Sequence, residues 1–188
     1  MESRLKREFH YFVLTEYEQE EKYLRDMSKQ GYRFVKVSLP GFYYFERCEA
    51  EDMIYKLDFH QLSNQNLDDY IQMYKDYGWE YIQSMNDYRY FRRKASSVDN
   101  EKDLEIFSDH ESQIDMLNRI VKNKMLPITI IFFLCIIPQF FNVFSVKTVG
   151  VFDITLDILL IVLLIFYVFI IGRCYLGLYR LKNKYNKE

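Results

Sequence analysis

The sequence predicts an α+β cytoplasmic domain of duplicated β-α-β-β units, an antiparallel sheet with two helices, followed by a two-helix transmembrane hairpin. Three observations predict it. The 188 residues divide at Lys124/Met125 into two materials: the first part carries 19 Lys+Arg against 24 Asp+Glu, the second six basic residues against three acidic. From Met125 to Val146 run 22 residues without a charge, about 33 Å as a helix and enough to cross a ~30 Å hydrocarbon core. Gly31 and Gly78 open similar strings, GYRFVKVSLPGFYYFER and GWEYIQSMNDYRYFRR, 47 positions apart.

The duplication organises residues 1–94. Under the 47-residue offset Phe12 meets Phe59, Tyr23 meets Tyr70, Phe34 meets Tyr81 and Val35 meets Ile82; after one deletion Tyr44-Phe45 meets Tyr90-Phe91. Phe9–Leu14 reads as the first strand from its aromatic and apolar run. Helix one, roughly residues 18–30, places Tyr23, Leu24 and Met27 on one face and its charges on the other. Gly31 stands where a helix C-terminus wants a residue free to take positive φ. Tyr32–Ser38 and Phe42–Arg47 form a hairpin through Leu39-Pro40-Gly41. The second unit repeats the order: strand Met53–Phe59, helix 67–77 ending before Gly78, strand Trp79–Ser84, turn Met85-Asn86-Asp87, and strand Tyr88–Lys94. Six strands and two helices give, most simply, one antiparallel sheet covered by helices on one face. The other face is left to Tyr and Arg, or to a partner.

Residues 95–107 begin ASSVDNEKD, a polar linker. Residues 108–125 are an amphipathic stalk helix: Ser108 and Glu111 have capping-box spacing, and Ile114, Leu117, Ile120 and Val121 make one stripe. Pro127 predicts a break or kink where the chain enters the membrane. Residues 126–146 are the first span and 147–153 a short outer loop. Residues 154–174 are the second span, in which Ile, Leu, Val and Phe fill 15 of the 19 positions from Ile154 to Gly172. Residues 175–188 are a basic tail. Neither apolar segment offers the polar face that a core helix of a soluble domain shows to water. Arg119, Lys122 and Lys124 precede the first span, and Arg173, Arg180, Lys182, Lys184 and Lys187 follow the second, while the connection holds one Lys and one Asp. The positive-inside rule then puts both termini in the cytoplasm of a two-pass plasma-membrane protein. The start, MESRLKREFHYFVL, lacks the apolar core of a signal peptide.

Composition removes several classes. Gly 6 and Pro 3 exclude collagen-like and Pro-rich disordered chains, and three Cys make neither a disulfide framework nor a zinc finger. A net charge of -2 gives no global attraction for nucleic acid. The mean hydropathy of -0.24 averages two unlike halves and describes neither.

The strings Glu20 to Phe34 (EEKYLRDMSKQGYRF), Gly41 to Glu46 (GFYYFE), Tyr55 to Phe59 (YKLDF), Tyr77 to Tyr81 (YGWEY) and Tyr90 to Arg92 (YFR), then Ile106 to Ser112 (IFSDHES) before a hydrophobic segment, occur in one order. In these the chain resembles a bacterial uncharacterised family, number 2812 among domains of unknown function. Where Tyr23 and Tyr32 stand here, that family's pattern often has Trp. The resemblance implies a membrane protein whose gene neighbours a PadR-type transcriptional regulator, and hence a regulatory partnership. It supplies no catalytic residues.

Of catalytic signatures there is no G-x-G-x-x-G, P-loop, G-x-S-x-G or H-E-x-x-H. Asp58 and His60, two apart at a strand end, would need a third ligand to hold a metal, and a sheet-edge polar pair is the favoured reading. His10 lies among aromatics, and His110 reads as a helix N-terminus. Cys48, Cys135 and Cys174 carry no sign of a reactive thiol, although acylation of Cys174 at the inner membrane surface is conceivable. Asp157 reads as interfacial, and Gln139 and Asn142 suit helix–helix contacts in an oligomer. Arg89 and Arg93, with Lys122 and Lys124, are the candidate residues for binding or for contact with the anionic inner leaflet. No catalytic, cofactor or metal residue is assigned, and no cofactor is expected. The function expected is a membrane-anchored regulatory or adaptor protein without enzymatic activity. Its partners would be the lipid bilayer, a protein such as a PadR-type regulator and a second copy, with no direct nucleic acid contact. The alternatives are a transporter accessory or small oligomeric membrane component and, more remotely, a membrane-anchored metal-dependent enzyme.

Overall fold

A computed structural model describes residues 5–59, 67–97, 110–138 and 151–185. The chain forms two compact units, Met1–Met116 and Leu117–Glu188. In the first unit the elements are β1 (Lys6–Phe9), α1 (Tyr17–Lys29), β2 (Tyr32–Ser38), β3 (Phe42–Arg47), β4 (Met53–Phe59), α2 (Leu67–Asp76), β5 (Glu80–Met85) and β6 (Tyr88–Lys94). They make two three-stranded sheets, ordered β1-β3-β2 (sheet 1) and β4-β6-β5 (sheet 2), with every pairing antiparallel. Each is therefore a split β-α-β unit in which the third strand inserts between the first two.

The single six-stranded sheet expected from sequence is thus corrected to two, and the seam shows why. β2 and β5 are irregular at matched places, between Phe34 and Lys36 and between Tyr81 and Gln83. A bulge interrupts ladder pairing. At the seam the Gln83 side-chain amide stands in for a strand: the Val37 N–H donates to its Oε1 at 3.3 Å and its Nε2 donates to the Val37 carbonyl at 3.2 Å. The Phe34 N–H donates to the Tyr55 hydroxyl and its carbonyl accepts from Arg92. Backbone groups that would have zipped a continuous sheet end on side chains instead.

β1 is also corrected, from Phe9–Leu14 to Lys6–Phe9. The aromatic run leaves the sheet because its rings are used in packing: His10 and Phe12 both lie against Tyr23, and Val13 is buried. Gly31 and Gly78 both have φ of +82°, as their helix-terminal positions predict. Asn86 and Asp87 both have positive φ, as the two central positions of a type I′ hairpin turn require.

α1 lies along the outer edge of β4 and closes it with side chains. The Met53 N–H donates to Ser28 Oγ at 3.2 Å and the Leu57 N–H to Glu21 Oε1 at 2.8 Å, while Arg25 makes a two-pronged bond to Asp52. An exposed strand edge invites pairing with another chain; here a helix covers it. Beneath α1 the core is aromatic, with Phe45, Tyr55 and Tyr90 each in ring contact with Phe34. A second cluster, Ile54, Tyr74, Trp79 and Phe91, fills the space between sheet 2 and α2.

In the second unit and the helix leading into it, α3 (His110–Ile120) continues through a π turn (Val121–Met125), α4 (Leu126–Ile131) and a second π turn (Phe132–Ile136) to Pro138. A break or kink was expected at Pro127; the helix continues through it, with a π turn just before. Each proline follows a π turn by two residues, and the widened turns close with the bonds Leu126 N–H to Val121 O and Ile137 N–H to Phe132 O. Local π adjustment of this kind is one way a helix passes a proline without ending. α5 (Val151–Tyr185) is one helix of 35 residues. It begins inside the expected outer loop and runs through most of the expected tail, because no proline lies between Arg173 and Tyr185 and a lone Gly177 is tolerated within a helix. Two spans were expected. Among the described residues one stretch of helix, Ile161–Lys184, is long and apolar enough to cross a membrane, with a mean hydropathy of 2.3 over an 18-residue window. The described part of the other apolar segment is divided by its π turn and ends at Pro138, and Gln139 and Asn142 lie outside the described residues. Tyr167 of α5 stacks on Phe132 at 4.7 Å and donates its hydroxyl to the Ile128 carbonyl.

Candidate functional site

Among the described residues sheet 2 is covered on both faces, whereas sheet 1 is covered on one. Along β3 the alternation is clean: Tyr43 and Phe45 are 3% and 0% exposed and point towards α1, so Phe42, Tyr44 and Glu46 point outward. Register places Arg7 and Lys36 on either side of Tyr44, Phe9 and Ser38 on either side of Phe42, and Arg33 beside Glu46. The β2 bulge makes this possible. Without it Lys36 would share a face with Phe34; with it Phe34 and Val37 both stay buried and Lys36 turns outward.

The result is an open basic-aromatic face. The Arg7 guanidinium lies 5.0 Å from the Phe42 ring centre and the Lys36 ammonium 5.1 Å from that of Tyr44. The Arg33 Nε bonds Glu46 at 2.5 Å. Phe9 (58% exposed), Tyr11 (47%) and Leu39 (68%) are exposed at the end of the sheet where β1 stops and the β2–β3 turn begins. Cations held over rings at exposed sites contribute about 0.5–1 kcal/mol each and present charge and apolar surface together. The corresponding face of sheet 2 is buried: where sheet 1 pairs Arg7 with Tyr44 and Phe9 with Phe42, sheet 2 pairs Leu57 with Tyr90 and Phe59 with Tyr88, all four at most 5% exposed.

Between the sheets lies a buried carboxylate–tyrosine network. Glu20 Oε1 accepts from Tyr43 and from Tyr90, each at 2.7 Å. Burial raises the Glu20 carboxyl despite those two bonds, and burial together with the Glu20 charge raises both phenols. Burial pushes Glu21 up to about 7, against the pull of Lys56 and of the Leu57 N–H. These groups hold the two sheets to α1.

The residues singled out from sequence fall elsewhere. Arg89 is 6% exposed, stands opposite Asp58 in the β4–β6 register, and lies over the Tyr70 ring at 5.6 Å. Arg93 bonds the Ser97 hydroxyl and carbonyl. Lys122, exposed, and Lys124, half-buried, sit in the first π turn of the second unit. Arg89 and Arg93 share the α2 side of β6, so the structure does not bring them to the open face. Asp58 is 2% exposed and accepts from Tyr70 and Tyr74 on one oxygen, while its Oδ1 accepts nothing among the described residues. His60 lies outside the described residues, and among those described no three His, Cys, Asp or Glu side chains gather to hold a metal ion. Sequence reasoning missed Arg7, Arg33 and Lys36. The alternation of Phe42, Tyr44 and Glu46 was readable, but the bulge that aligns Lys36 with them leaves no sequence mark.

A family model described as "Protein of unknown function (DUF2812)" matches residues 16–131, more than half of the chain, from the start of α1 to the end of α4. No curated protein matches the chain, and no solved structure does.

Proposed function

The chain belongs to the DUF2812 family of proteins of unknown function, and on that premise we propose that it is a membrane-anchored regulatory or adaptor protein whose first unit docks a protein on the outer face of sheet 1. The observation that carries this reading is the contrast between the two sheets. The same face is sealed in sheet 2 and left open in sheet 1, with Phe9, Phe42 and Tyr44 under and beside Arg7 and Lys36. An aromatic surface with a basic fringe suits a partner that is apolar at its centre and acidic at its rim. The helix Ile161–Lys184 supplies the anchor. We read the apolar segment from Leu126 as its partner in a two-pass hairpin, a reading supported by the Tyr167–Phe132 stack. Arg173, Arg180, Lys182 and Lys184, gathered in the C-terminal half of that helix, favour a cytoplasmic first unit.

The test is a photo-activated crosslinker placed at Tyr44 of the full chain in its native membranes, with exposed Glu49 as the control position. The expected result is a protein adduct from Tyr44 alone, lost when Arg7 and Lys36 are both replaced by Glu; the PadR-type regulator implied by the family resemblance is the first candidate to probe for. Equal labelling from both positions would remove the docking reading. Extraction at alkaline pH tests the anchor: the full chain stays with the bilayer and a chain ending at Lys124 is released.

A further inference from the structure

We propose that the outer face of sheet 1 receives α2 of a second copy, so that chains assemble head to tail by repeating the contact that joins the two halves of one chain. This rests on the docking reading above and names its occupant.

The argument begins with equivalence. Within the chain, sheet 2 presents Leu57, Tyr88 and Tyr90 to the preceding helix α1: Tyr90 donates to Glu20, Tyr88 lies against Tyr17, and the Leu57 N–H donates to Glu21. Glu21 also holds Lys56, 3.4 Å away. In sheet 1 the matching positions are Arg7 for Leu57, Phe42 for Tyr88, Tyr44 for Tyr90 and Lys6 for Lys56, since each pair has the same cross-strand neighbour in its own sheet. No helix precedes this face among the described residues. At the other end, the 47-residue offset puts Asp68 of α2 where α1 has Glu21. Units joined by such translation-like contacts have two unlike open ends, which fit one another in a heterologous, head-to-tail interface.

Charge then selects the occupant. The open sheet end carries Arg7 and Lys36, with Lys6 at its edge and already paired to Glu8 at 2.7 Å, and the open helix end carries exposed Asp68, Asp69 and Asp76 with a single Lys75. In the assembled pair, Asp68 of a second copy faces Lys6 and Arg7 as Glu21 faces Lys56 within the chain. Tethering to one bilayer keeps copies at high local concentration, so a modest contact suffices.

Sedimentation of the full chain in detergent micelles, across a concentration series at low and high salt, tests the assignment. The wild-type chain is expected to self-associate, more weakly at high salt. An Arg7→Glu/Lys36→Glu chain and an Asp68→Lys/Asp69→Lys chain should each associate at least about tenfold more weakly. An equimolar mixture of the two should recover association, because each then finds its opposite on the other; this recovery also shows that both variants are folded. A wild-type chain that stays monomeric, or association unchanged in both variants, overturns the proposal. If the chain is monomeric yet Tyr44 still crosslinks to a different protein, the second copy is rejected and the docking face stands. Loss of both results removes the two readings together, and a lipid adduct at Tyr44 overturns both in favour of membrane contact.

Discussion

The Tyr23 hydroxyl donates to the Glu8 carboxylate at 2.6 Å, and 47 residues later Tyr70 of α2 makes the same bond to Asp58 of β4. A helix tyrosine thus ties each helix to the first strand of its own unit. The settings differ. Glu8 keeps 28% exposure and a salt bridge to Lys6 at 2.7 Å, and the Lys6 and Tyr23 bonds hold its carboxyl below the usual range. Asp58 is 2% exposed and accepts from Tyr70 and Tyr74. Water can replace Tyr23 but has little access to Asp58. Tyr23→Phe is therefore expected to cost about 0.5–1 kcal/mol and Tyr70→Phe about 2–3 kcal/mol. Urea unfolding of the full chain in detergent reads both through Trp79, the sole tryptophan and a member of the buried cluster between sheet 2 and α2. Equal losses would show that burial does not separate the two bonds.

The acidic groups on α1 set a pH dependence of unusual sign. Burial pushes Glu21 up to about 7 from 4.5, and Glu20 rises for the same reason. Between those values the folded chain holds a proton that the unfolded chain has released. The stabilisation is fully present below about pH 4.5 and is lost as pH rises through about 7. The Glu21 shift alone amounts to roughly 3 kcal/mol. Asp52, held low by Arg25, and Glu80, held low by Arg92, work in the opposite direction: their contributions are present above the unfolded carboxylate range and fade as pH falls through their lowered values. Urea midpoints should fall from pH 5 to pH 7.5, and Glu21→Gln should flatten much of that slope. A midpoint that climbs over this range in the parent chain contradicts the assignment.

The strand, helix, strand, strand order in each half was legible because helix and strand periods survive substitution: Tyr23 and Tyr70 each bond a carboxylate of the first strand and Gly31 and Gly78 share a φ, whereas Tyr44 and Tyr90 share a register position but not a setting. Four of the six strands, β2, β3, β4 and β6, have their predicted bounds for the same reason. The division into two sheets was not legible, since it depends on bulges at Val35 and Ile82 and on one side-chain amide at Gln83, none of which alters the alternating pattern. The open face was hidden by the same bulge. Arg89 illustrates the converse: by composition it belongs to an exposed basic-aromatic strand, yet the register sets it opposite Asp58 and buries it. Burial of a charge is decided by its cross-strand partner, which no local window contains.

Ser28 closes the end of the β4 edge. Its hydroxyl accepts from the Met53 N–H and donates to the Arg25 carbonyl, and it is 1% exposed. Ser28→Ala leaves a buried N–H with no acceptor and should cost about 1–3 kcal/mol. Hydrogen exchange localises the effect: the Met53 amide should lose protection, while amides of β3 in the other sheet keep theirs. Uniform loss across both sheets would mean that Ser28 supports the whole unit rather than this edge.

Gly31 and Gly78 share a φ of +82°, so a side chain at either carries the same backbone strain, about 1–2 kcal/mol. The space around them differs. A Cβ at Gly31 would stand 2.9 Å from the Cys48 carbonyl oxygen, an atom of the backbone, and the Cys48 N–H donates to the Gly31 carbonyl at 3.0 Å. The chain on both sides is therefore pinned and cannot retreat. At Gly78 the nearest atom would be the Arg93 Nε at 3.4 Å, on a flexible side chain that can move aside. Gly78→Ala should then cost little beyond the strain. Gly31→Ala should cost about 3 kcal/mol or more, the clash adding to the strain. Denaturant midpoints of the two variants decide the matter. A Gly78→Ala loss as large as that of Gly31→Ala would mean that backbone strain alone sets the cost, and that the contact with Cys48 relaxes freely.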